Sequence, residues 1–150
     1  MKTLKSIVEA PGVYQAVLKD GLRVLDDEVS KRSGISGLAI KGAYKLLKGV
    51  QGGRALEKAV EILMPEFIEA FEPYFEKYQA EGKRGSFESF IAPHLEELAD
   101  KLLSITDKKA AHTDAAVVRN TYQKLRPKAK KEVVASLPAL ARMIDRYTAG

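Results

Sequence analysis

Apolar side chains return every three to four residues along nearly the whole chain, and strict apolar–polar alternation is almost absent. That spacing gathers them on one side of an α-helix and would scatter them over both faces of a strand, so the chain is expected to be all-α. The stripe Leu18, Leu22, Leu25 and Val29 is the clearest case, a single line along a helical cylinder. Local punctuation divides the pattern. Thr3 is placed to cap a short first helix that ends before Pro11, and Pro11 suits the first turn of a second. Gly34 is expected to stop the second helix in a left-handed conformation. Ser36 then caps a third helix, whose inward side reads Leu38, Ala39, Gly42, Ala43, Leu46 and Leu47. Gly49 and the pair Gly52-Gly53 end it.

A long fourth helix carries Leu56, Val60, Leu63, Met64, Phe67, Phe71, Phe75 and Tyr78, and Pro65 and Pro73 inside it predict kinks or breaks. Residues 81–85 read as a loop, Ser86 opens the next helical stretch, and Pro93 begins the helix bearing Leu95, Leu98, Leu102 and Ile105. Thr113 or Asp114 caps a further helix that Arg126-Pro127 breaks. A last one, from about Lys128 to Tyr147, is expected to bend at Pro138. The expected architecture is a single domain over residues 1–150, a bundle of about six to seven helices, several kinked or broken at prolines. Its core aromatics are expected to be Phe67, Phe71, Phe75, Phe87 and Phe90.

The chain has no cysteine, which excludes disulfides, thiolate metal sites and thiol nucleophiles. No window of 18 apolar residues is present, and Glu9 and Asp20 follow the start too closely for a secretory leader, so a cytoplasmic protein is expected. Net charge is +5, and its layout is uneven: residues 31–60 carry +6, residues 61–100 carry −7 and residues 101–150 carry +7. Such blocks either neutralise one another within the fold or mark a charged surface.

Gly37 and Gly42 keep the interval of a phosphate-binding loop, but Ala43 and Tyr44 stand where that loop needs Lys and Ser or Thr, and no strand precedes it. Backbone donors from Ser36 through Gly37 to Ala39, with Lys41 a turn later, leave a simple anion contact open. Lys41, Lys45 and Lys48 form one basic stripe, and Lys124, Arg126, Lys128, Lys130 and Lys131 form a second basic cluster; together they are candidate phosphate-backbone contacts. The third helix is basic and amphipathic, yet its Gly- and Ala-rich apolar side suits helix packing better than lipid insertion. Glu66, Glu69, Glu72 and Glu76 form a ladder, but Ile91 and Lys109 stand three residues before His94 and His112. The Glu-x-x-His pairing of helical metal sites is therefore missing, and no metal is expected. A triad assembled from Ser86, His94 and Asp100 would lack a nucleophile elbow. No catalytic residue and no cofactor is assigned.

The run Val29–Tyr44, VSKRSGISGLAIKGAY, followed by Leu63-Met64-Pro65-Glu66-Phe67, resembles a family of small all-helical bacterial proteins of unknown function. The resemblance extends over most of the chain. It implies an all-helical fold, a bacterial cytoplasmic setting and any unknown site near Ser33–Tyr44, and it supplies no activity.

The residues thus favour a non-catalytic helical module that binds a protein partner or a second copy of itself. Nucleic-acid binding through the basic helix faces is the first alternative. A small-ligand cavity between kinked helices, near Phe67 and Phe71, is the second.

Overall fold

A computed structural model describes residues 2–32 and 34–149. They form α1 (Leu4–Val8), α2 (Tyr14–Ser30), α3 (Gly34–Lys48), α4 (Ala55–Ala80), α5 (Phe87–Ile91), α6 (Leu95–His112) and α7 (Ala116–Thr148), with 3-10 turns at Val50–Gly53 and Ala92–His94. Among the described residues there is no strand. The two longest helices, α4 and α7, each touch α1, α2, α3, α5 and α6, and so serve as twin spines. Between them lies one core in which Phe75, Phe87, Ile91, Leu98, Leu137 and Ala141 are wholly buried. Phe71 is buried with them, while Phe67 and Phe90 pack at its edge, half-buried.

Four prolines sit inside continuous helices, Pro65 and Pro73 in α4 and Pro127 and Pro138 in α7. The expected break at Arg126-Pro127 does not occur, and two expected helices are one. Pro65, Pro73 and Pro127 are exposed and Pro138 is half-exposed. The carbonyl each proline orphans four residues earlier can therefore be met by water. The flanking turns are held by packing on the core, which outweighs the local cost of about 3 kcal/mol.

Other boundaries also shift. Pro11 precedes α2 rather than opening it, because Gly12 at φ +81° turns the chain first. Pro93 falls in the 3-10 turn before α6. The cap of α7 is Ala115, which has no side-chain acceptor; Thr113 instead receives the Ala115 amide at 3.3 Å. The expected Ser36 cap is displaced because α3 already begins at Gly34, and the Ser36 side chain lies outside the described residues.

The two five-residue helices are too short to stand alone, and each is fixed twice at its N-terminus. Thr3 Oγ1 accepts from the Ser6 amide and Ser86 Oγ from the Ser89 amide, both at 3.0 Å. A distant carboxylate then takes the next free donors. Glu72 on α4 accepts from the Leu4 and Lys5 amides at 2.8 and 3.0 Å, and Asp145 on α7 accepts from those of Phe87 and Glu88 at 2.9 and 3.3 Å. A carboxylate there answers both the unpaired N–H groups and the positive end of the helix dipole.

Candidate functional site

Helix α3 departs from its expected orientation. Leu38, Ala39, Gly42 and Leu46 face solvent, whereas Gly37, Ile40, Ala43, Tyr44 and Leu47 face the bundle. Both sides of this helix are apolar, so periodicity alone does not choose between them. Specific contacts do. A side chain at Gly37 would put its β-carbon 2.6 Å from the Arg32 carbonyl carbon, so the backbones meet there and only glycine fits. Tyr44 donates to Asp26 on α2 at 3.0 Å, and Lys48 reaches the same carboxylate at 3.1 Å. The outer face is left with Leu38 72% and Leu46 56% exposed. Lys41 and Lys45 are exposed beside them, and α3 carries no acidic residue.

Beneath α3 the bundle is not filled. A cleft of about 290 Å³ runs between α2, α3, α4, α6 and α7. Its walls include Leu25, Val29, Ile40, Phe67, Leu102, Leu103, Leu125, Ala129, Val133 and Leu140. Phe67 lines this cleft and Phe71 a separate void of about 70 Å³, and neither Pro65 nor Pro73, from which an opening was expected, borders either one. At one end of the cleft lies a charged network. Arg32, its side chain only 15% exposed, sends Nε to Glu132 Oε2 at 2.7 Å. Its Nη2 reaches Glu28 at 3.4 Å, the Glu132 carbonyl at 3.3 Å and Ser136. Glu28 is buried and also pairs with Lys31 at 3.3 Å. Nothing in the helical pattern signals this network, because Glu28 and Glu132 are 104 residues apart in the chain.

The basic residues singled out from the sequence do not act as one free set. Arg126 binds Asp107 through Nε and Nη2 at 2.8 and 3.1 Å, Lys130 pairs with Asp100 at 3.2 Å, and Lys48 is taken by Asp26. Lys41, Lys45, Lys124, Lys128 and Lys131 are exposed and form no ion pair among the described residues. Helix α3 packs on α7, and Ile40 and Lys128 border the same cleft. A wider hollow of about 480 Å³ lies over Asp107, Tyr122 and Arg126, whose polar groups already satisfy one another.

The acidic ladder is divided among separate partners: Glu66 pairs with Lys109 at 2.9 Å, and Glu72 caps α1. Ser86 caps α5, Asp100 pairs with Lys130, and the Tyr74 hydroxyl donates to Glu97, so His94 stands among residues with other partners. Among the described residues no three His, Asp or Glu side chains gather as a metal site would need.

Four tyrosine hydroxyls donate to carboxylates on other helices: Tyr44 to Asp26, Tyr74 to Glu97, Tyr122 to Asp107 and Tyr147 to Asp20. Burial, together with the accepting anion, pushes each of these phenols up to about 12. Asp107 is held below the usual carboxylate range, chiefly by the Arg126 guanidinium and then by Tyr122.

Fold and site together define a helical bundle with an apolar cleft and a buried ion network at one end of it. The chain belongs to DUF6918, a family of unknown function whose model matches residues 4–148. No curated protein and no solved structure matches it.

Proposed function

We propose that the protein is a non-catalytic helical module that self-associates through the outer face of α3. The observation that carries this reading is the exposure of Leu38 and Leu46 beside Lys41 and Lys45, on a helix without an acidic residue. Large apolar side chains grouped with charge mark an interface rather than an ordinary surface. The occupant we favour is a second copy, because the solvent side of α4 exposes Ile62 (55%) with Glu61 next to it and Glu69 two turns on along the same face. Opposite charges would steer the encounter and set the register, while the leucines and Ile62 would supply the buried area. The setting proposed, the bacterial cytoplasm, rests on the family resemblance.

Light scattering at about 0.05 M and about 0.5 M salt tests this, since exposed charge pairs are screened over that range. A dimer that weakens with salt, and becomes monomeric on Leu38→Glu with Leu46→Glu at unchanged melting temperature, is the expected result. A strict monomer at every concentration overturns it. Retardation of nucleic acid at low salt, lost on Lys41→Glu and Lys45→Glu, would assign the same face to phosphate contacts instead.

A further inference from the structure

We propose that the cleft under α3 binds a small amphiphile, a hydrocarbon chain bearing one carboxylate. Size comes first. A void of about 150 Å³ accepts benzene, so about 290 Å³ takes a chain of about ten carbons. The walls offered to it, such as Phe67, Leu103, Val133 and Leu140, are aliphatic or aromatic. Charge supplies the head group. The charged side chains lining the cleft are Arg32, Lys128, Glu28 and Glu132; Lys31, outside the lining, pairs with Glu28. Both carboxylates are already held by Arg32 or Lys31.

Arg32 serves both carboxylates, so Lys128 is the cation of the lining without an ion pair among the described residues, and one ligand carboxylate would supply its partner. Donors are at hand. Arg32 uses Nε and Nη2 in the network, and its Nη1 has no partner among the described residues. Lys128, exposed at the rim, has no ion pair among them. A guanidinium edge and an ammonium suit a carboxylate and repel a cationic head. Burying Glu28 and Arg32 beside an apolar hollow is costly as mere structure; as a preset head-group site the same arrangement keeps Arg32 fixed in one orientation.

The test is calorimetric titration with sodium decanoate below its aggregation concentration, read in parallel by amide chemical shifts. Decanol, decyltrimethylammonium and acetate are titrated as controls. One decanoate per chain is expected, with shifts centred on Leu103, Ala129 and Val133. Decanol and Lys128→Glu should each bind about tenfold more weakly, the size of one lost charged hydrogen bond. Acetate and the cationic amphiphile should not bind. Ala129→Phe, which fills the cleft, should abolish binding. If that variant does not fold, Lys128→Glu, an exposed substitution, carries the test by itself. Decanoate failing to saturate at one per chain would overturn the proposal. So would decyltrimethylammonium binding equally well, decanol binding as tightly as decanoate, or shifts confined to the outer face of α3.

Discussion

Arg32 is the side chain on which most of the polar interior converges. Removing it leaves Glu132 without a counter-charge and Glu28, only 8% exposed, with Lys31 alone. An uncompensated buried charge is far more costly than an intact pair is beneficial. Arg32→Ala should therefore destabilise by about 3 kcal/mol, and adding Glu28→Gln and Glu132→Gln should recover part of the loss, both measured by urea unfolding. Gly37 is a second sensitive position. Gly37→Ala sets a methyl 2.6 Å from the Arg32 carbonyl carbon, where backbone rather than a flexible side chain must yield. A loss of about 1–3 kcal/mol is expected in the same assay, with α3 displaced from α2.

At the scale of elements, the short helices depend on carboxylates that local sequence does not reveal. Glu72→Ala and Asp145→Ala should each cost about 1 kcal/mol. Hydrogen exchange should accelerate selectively in α1 for the first and in α5 for the second. The Thr3 cap is legible because it lies three residues from its donor, whereas Ser86 signals only the start of a helical stretch and not its bond to the Ser89 amide. Glu72 and Asp145 are not legible, since 68 and 58 residues separate them from their donors. The same division runs through the fold. Leu98 and Leu102 lie on a one-sided stripe and are buried as expected, but α3 is apolar on two sides and turned its Leu38 outward. Pro127 follows the rule for local backbone sterics, and tertiary packing on both sides of it overrules that expectation. A cavity at Phe67 could be anticipated, though Pro65 and Pro73 do not border it; its charged end could not, because a glutamate at helical spacing reads as surface.

Across the whole molecule, the acidic segment 61–100 and the basic segment 101–150 are stitched together by Glu66–Lys109, Asp100–Lys130 and Glu88–Arg142. These pairs are largely exposed and worth little each. The melting temperature should accordingly change little with salt, even where self-association responds strongly. The tyrosine–carboxylate bonds behave differently. They join α2 to α3, α2 to α7, α4 to α6 and α6 to α7. Each folded phenol titrates at about 12, above its unfolded value of about 10. Above that lower value the unfolded chain holds fewer protons than the folded one, so stability falls as pH rises. Their contribution should be complete below about pH 10 and lost by about pH 12, in a thermal-melt series against pH. Tyr74→Phe with Tyr147→Phe should flatten that decline.

Pinning α1 to Glu72 also orders events at the ribosome. The first turn emerges early, yet its anchor is translated 68 residues later. Until then the five-residue helix has only its Thr3 cap, and its Leu4 and Val8 lack the core that buries them. The nascent chain can close its first half only when α4 has cleared the exit tunnel, and its second half only when α7 brings out Asp145.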